Sequence, residues 1–190
     1  MKKLLCMLLI LTMILMGTLA VCSCEEKSDD TNEASKSKSH KGEAVIPEGY
    51  IAYKNDDLSF AYPSDWTKND GSVTMLMNST GAGNNITVVY EAKTDLYEKS
   101  TEEELKAIFA QAMNAYGFSV SDFKLSQTKN DFVDKITKMT CTTTSTNTTT
   151  MRQTMFVVMV GNRTYTITVT ESTADQELVD TVFNTLETFG

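Results

Sequence analysis

From about residue 46 onward, apolar and polar positions alternate every second residue in short runs, then every third or fourth in two longer ones. The two-residue alternation predicts strands at 50–53, 58–62, 72–77 and 84–90, separated by turns containing Asp, Asn or Gly. Ser100-Thr101-Glu102-Glu103-Glu104 then has the form of a helix-capping box, with acids in the first turn where the helix dipole favours them. Leu105, Ile108, Phe109, Ala112, Met113 and Tyr116 follow at helical spacing, and Gly117 is placed to close the helix at C′. Longer strands are expected at about 119–128, 132–144 and 148–160. Gly161-Asn162 is a two-residue hairpin signal leading into 163–170. In that last strand Tyr165, Ile167 and Val169 alternate with Thr164, Thr166, Thr168 and Thr170, as for one buried face. Ser172/Thr173 is expected to cap a final helix whose stripe is Leu178, Val179, Val182, Phe183, Leu186 and Phe189. Strands, helix, strands, helix is the order of an α+β domain, an antiparallel sheet flanked by helices.

The start of the chain follows another pattern. Lys2 and Lys3 precede an unbroken apolar run from Leu4 to Val21, the form of a secretory signal. The run ends in Val21-Cys22-Ser23-Cys24, which resembles a bacterial lipobox. Cys24 fits as the modified residue better than Cys22, which would have bulky Val21 before it. The resemblance implies that residues 1–23 are removed and that Cys24 carries a diacylglyceryl group. Two acyl chains anchor stably where one would not, at roughly 0.8 kcal/mol per buried methylene. The competing reading is an uncleaved membrane helix at the lower edge of spanning length. Both place the remainder outside the cytoplasm, tied to the membrane.

Residues 24–45 form the tether. Glu25 to Ala44 holds no aromatic and no β-branched apolar residue, and its mixed charges cannot offset the entropy of ordering. About 20 such residues span roughly 25 Å root-mean-square. The only histidine, His40, lies here among Lys and Ser and reads as solvated linker. The folded part is then 46–190.

Within that part, Leu58-Ser59-Phe60-Ala61-Tyr62-Pro63-Ser64-Asp65-Trp66 resembles the F-x-Y-P-x-x-W run near the start of PsbP-like domains. The late strand through Gly161-Asn162-Arg163-Thr164-Tyr165 is similar as well. The resemblance covers roughly 48–189. It implies an α/β/α sandwich about a central antiparallel sheet, shared by PsbP, Ran-binding Mog proteins and several bacterial lipoproteins. It says little about activity, because that fold serves unrelated ends. The motif also has a physical reading. Pro63 ends a strand, Ser64-Asp65 turn the chain, and Trp66 returns as an apolar plug over the sheet edge. Phe60, Tyr62, Pro63 and Trp66 are therefore structural residues.

Charge and chemistry narrow the function. The precursor carries 17 Lys+Arg against 25 Asp+Glu, net −8. Loss of Lys2 and Lys3 takes this to −10, against a nucleic-acid partner or electrostatic docking on anionic lipid. With no His beyond the linker, Ser-His-Asp, Cys-His and His-containing zinc sites are excluded. Cys141 is the one thiol left once Cys24 is acylated, and it reads as a buried small hydrophobe. Met75, Met77, Met113, Met139, Met151, Met155 and Met159 could with Cys141 suggest Cu(I), but their spacing favours core packing. Asp56-Asp57 and Asp131/Asp134 are solvated pairs rather than a Ca²⁺ site. Gly81-Ala82-Gly83 is a hairpin loop, not a phosphate cradle. The eight Thr among residues 140–150 form a solvated hairpin tip. No catalytic residue, metal or cofactor is assigned. The expectation is a non-catalytic, lipid-anchored extracytoplasmic binding or accessory protein, presenting its domain to a protein or small ligand. The alternatives are a carrier of an apolar ligand between sheet and helix, and a hydrolase using only carboxylates.

Overall fold

Pro63 supplies the hinge of the architecture. It ends strand β2 (Leu58–Pro63), which pairs antiparallel with β1 (Tyr50–Lys54) and with the short β10 (Glu187–Thr188) in a three-stranded sheet. Ser64 and Asp65 turn, and β3 (Trp66–Asp70) starts a different sheet. That sheet is antiparallel and seven-stranded, in the order β3-β4-β5-β9-β8-β7-β6. Its other members are β4 (Thr74–Asn78), β5 (Asn85–Ala92), β6 (Phe118–Thr128), β7 (Ile136–Ser145), β8 (Thr150–Val160) and β9 (Arg163–Glu171). Helices α1 (Leu96–Lys99) and α2 (Glu102–Asn114) follow β5, and α3 (Gln176–Thr185) follows β9. These come from a computed structural model that describes residues 43–71, 73–78 and 83–189. The apolar leader, Cys22, Cys24, His40, most of the tether, and Gly81-Ala82 lie outside the described residues.

Both faces of the large sheet are covered, which gives two cores. On one face Leu76, Ile86, Phe156 and Ile167 pack against Leu58, Phe60 and Tyr62 of β2 and Leu178 and Val182 of α3. On the other, Met139, Cys141, Met155 and Val157 pack against Leu105, Phe109, Ala112 and Met113 of α2, Tyr97 of α1 and Phe123. Phe123 reaches this core because β6 carries a bulge between Ser121 and Lys124. Truncating a fully buried side chain such as Phe156 costs about 3–5 kcal/mol. The fold is α+β, with the layered arrangement the PsbP-like resemblance implies.

Several local expectations shift. The 72–77 strand is β4, and β3 precedes it unforeseen: after Trp66 it is polar and exposed, an edge strand held by its ladder to β4. The strand expected from 132 begins at Ile136, because the Asn130 side chain organises 130–133 as a loop. The cap of α3 is Asp175, whose carboxylate accepts from the Leu178 N–H at 3.0 Å. Ser172 and Thr173 instead donate their N–H groups to Asn84. Helix α3 stops at Thr185, so Phe189 lies beyond β10, 44 % exposed, and not on the helical stripe. The cap of α2 is as read: the Thr101 N–H donates to Glu104 and the Glu104 N–H to the Thr101 hydroxyl. Gly117 takes the left-handed φ of +77° that ends the helical run, one residue later than C′. Thr164, Thr168 and Thr170 are buried rather than solvated, since both faces of the sheet are covered.

Candidate functional site

The two sequence runs that carried the family resemblance meet in space. In the first, the Ser64 N–H donates to the Gly49 carbonyl at 2.9 Å, fixing the turn after Pro63. Phe60, Tyr62 and Trp66 all enter the same core, and Trp66 pairs in register with Asn78. The run therefore carries the chain from one sheet layer to the other with an aromatic filling the crossing.

Just upstream, Asn55 Oδ1 accepts from the Asp57 and Leu58 N–H groups, both at 2.9 Å, an Asx turn that aims the Asp57 carboxylate. The second run supplies its partners. Gly161, at φ +56°, makes the tight β8–β9 hairpin and delivers Arg163 and Tyr165 to the adjoining strand. The Tyr165 hydroxyl donates to Asp57 Oδ2 at 2.6 Å, and Arg163 Nη1 donates to the same oxygen at 2.8 Å. These bonds hold the Asp57 carboxyl below the usual aspartate range, the Tyr165 hydroxyl first and the guanidinium after it. Tyr165 is pushed up, by burial first and then by the bond to Asp57. Arg163 is held protonated by the same two partners.

The exposed face of this network is Tyr90. It stands across the ladder from Tyr165 in β9, its ring 5.5 Å from that of Tyr165, and the Arg163 guanidinium sits 4.9 Å above it. Tyr90 is 61 % exposed while Tyr165 is buried. An aromatic ring backed by a neutralised guanidinium suits recognition by contact. It does not suit proton transfer, because Asp57 stays charged and is already bonded.

The match to known proteins covers the same residues: a family model described as PsbP matches 48–189. The chain belongs to the PsbP family. Among solved structures, cyanobacterial PsbP (CyanoP) from Synechocystis sp. PCC 6803 is similar at 14% identity and a TM-score of 0.57, covering 78% of this chain and 98% of that one. A Bacteroides thetaiotaomicron VPI-5482 protein is similar at 17% identity and 0.45, covering 69% of this chain and 44% of its own. LpqN of Mycobacterium tuberculosis, described as involved in cell envelope biogenesis, is similar at 10% identity and 0.40, covering 74% and 90%. No curated protein matches the chain.

The remaining candidates sit elsewhere in the PsbP domain. Asp57 is engaged with Arg163, while Asp56, Asp131 and Asp134 are not drawn into a cluster with it. No group of three or more His, Cys, Asp or Glu side chains suited to a metal forms among the described residues. Cys141 is buried, which pushes its thiol up to about 12, and its Sγ lies 3.9 Å from Gln153 Oε1. Met113, Met139 and Met155 are core residues beside it, whereas Met75, Met77, Met151 and Met159 are half-buried. Of the threonine run, Thr143 is fully buried, and the tip at 146–150 is exposed. A cavity of about 90 Å³ lies under α1, lined by Tyr97, Thr94, Thr137, Thr164 and the Glu98–Lys135 ion pair at 2.9 Å. The Tyr97 hydroxyl donates to Glu91 at 3.4 Å, and burial followed by the Glu91 charge pushes its ionisation upward. Sequence reasoning missed Tyr90, Arg163 and Tyr165 as a group. The one available signal was that Asp57 stands immediately before one family-like run, and Arg163 and Tyr165 stand inside the other.

Proposed function

We propose that this PsbP-family chain is a lipid-anchored extracytoplasmic accessory protein without catalytic activity, which binds a protein partner through the Tyr90 surface. Residues 1–23 act as the signal, Cys24 as the lipid attachment point, 24–45 as the tether, and 46–190 as the domain it presents. The observation that carries the reading is the exposed Tyr90 ring, packed against Tyr165 and the Arg163 guanidinium, both of which Asp57 holds in place. A rigid aromatic beside an arginine loses little entropy when it is covered, which is the character of an interface anchor. The cavity under α1, about 90 Å³, falls short of the roughly 300 Å³ at which small-ligand pockets begin, so it is not a site for an apolar cargo.

The test is crosslinking on intact cells with Tyr90 replaced by a photo-reactive phenylalanine. One discrete adduct at position 90, lost when Arg163 is changed to Ala and absent with the probe at the exposed Glu103, supports the assignment. The same adducts at 90 and 103 would refute it. Cys24→Ala releases the protein from membranes and abolishes lipid labelling; retained labelling moves the attachment to Cys22.

A further inference from the structure

Three of the five exposed large apolar side chains among the described residues gather where the chain enters the folded domain. Val45 is 86 %, Ile46 36 % and Phe189 44 % exposed. The first two directly follow Ala44, whose N–H donates to Glu187 Oε1, while the Ser59 hydroxyl donates to Glu187 Oε2 at 3.2 Å. Glu187 stands opposite Ser59 in the small sheet, and Phe189 lies two residues further along the same extended segment, on the same side. The Phe189 N–H donates to the Asp57 carbonyl at 2.9 Å, which continues the ladder and fixes the backbone there. Lys54, from β1, sits 5.0 Å above that ring. The outer side of the small sheet therefore presents Val45, Ile46 and Phe189 beside one lysine, with the tether pinned at its rim. Tyr90 belongs to the large sheet, not to this group.

We infer that this outer side rests on the membrane, with Val45, Ile46 and Phe189 inserted at the headgroup boundary and Lys54 among the lipid phosphates. The inference rests on the lipid-anchor reading above and extends it to an orientation. Residues 25–43 lie between Cys24 and Ala44, and the tether reading gives a segment of that length a root-mean-square reach of about 25 Å. That keeps the patch at high effective concentration over the bilayer, so a contact too weak to hold a free protein is populated. Apolar side chains beside a lysine suit a lipid boundary, and the tether delivers this side first. Exposed Glu43 and Glu48 flank Val45 and Ile46, so the contact rests on apolar insertion rather than on charge.

The experiment uses full-length protein purified with its lipid, reconstituted into phosphatidylethanolamine/phosphatidylglycerol vesicles with doxyl-labelled lipid near the headgroup. Trp66 is the single tryptophan and is buried, so it supplies a constant background. Tryptophan placed by Phe189→Trp, and separately by Val45→Trp, is expected to be quenched at least twofold more than tryptophan placed by Glu103→Trp, exposed on the helix that covers the opposite face of the large sheet. Equal quenching at all three positions, or none at 189 and 45 while the protein still floats with the vesicles, overturns the orientation and leaves the anchor standing. Failure to float overturns the anchor, and the orientation with it. A melting transition matching wild type, followed by far-UV circular dichroism in each variant, shows that the domain remains folded.

Discussion

Tyr165→Phe isolates the bond that ties the two sheet layers together at Asp57. The substitution removes one oxygen from a side chain that is 2 % exposed and leaves the ring in its core position. The main lost interaction is the hydroxyl donating at 2.6 Å to a charged carboxylate, and the long contact it accepts from Arg163 Nη1 at 3.4 Å goes with it. Hydrogen bonds to charged groups contribute about 1.5–3 kcal/mol. Asp57 keeps Arg163, and its side chain is 25 % exposed, so water replaces part of the loss. The expected cost is therefore about 1–2 kcal/mol, near the lower end of that range, a fall in Tm of about 3–6 °C for a domain this size. Its pH dependence follows from Asp57. A carboxyl held low in the folded state adds stability that is complete above the ordinary aspartate value and is lost as pH falls through the folded value. The gap between wild type and variant, read from urea unfolding, is thus full at neutral pH and narrows below about pH 4. A gap that stays constant across that range, or a variant as stable as wild type at neutral pH, would show that the bond adds nothing.

Asn130→Ala removes a side chain whose amide donates to the Phe183 and Leu186 carbonyls at 2.6 and 2.8 Å and whose oxygen accepts from Phe132 and Val133. It should cost about 2–3 kcal/mol and loosen the C-terminal turn of α3, seen as faster amide exchange at 183–186; unchanged exchange would contradict the clamp. Thr170→Val should be neutral or stabilising by a few tenths of a kcal/mol, because the Thr170 Oγ1 is buried without a partner. A clear loss of stability by calorimetry would mean that the hydroxyl has one. Cys141, its thiol pushed up to about 12 by burial, should resist a disulfide reagent at neutral pH in the folded protein and react on unfolding. Rapid labelling of the native domain would place it at the surface.

The large-scale fold was legible wherever a residue type did one job. Pro63 had to end a strand, Thr101 with Glu104 had to start a helix, and Gly161 had to make a tight turn; each did. Strand β3 was illegible because its order comes from backbone pairing with β4 rather than from burial, and an edge strand leaves no hydrophobic period in the sequence. The threonines of β9 misled for the opposite reason. Alternation records which side chains are polar, and a sheet covered on both faces buries the polar set too. The Asp57 network left only its members' places beside the two family-like runs as a signal, since they are separated by most of the domain and the pairing of layers brings them together.

The strand order of the large sheet has a kinetic consequence. Strands β3-β4-β5 form one local meander and β6-β7-β8-β9 another, and the two join solely at the β5–β9 ladder, from Asn85 opposite Thr170 to Ala92 opposite Arg163. Each meander can zip from its own hairpins within microseconds to milliseconds. The seam must wait for a long loop to close, so it sets the pace of folding. Until β9 has left the ribosome, β5 has an open edge, and the domain stays two halves of a sheet. A chain cut or stalled before β9 therefore keeps two half-sheets with open edges at β5 and β8.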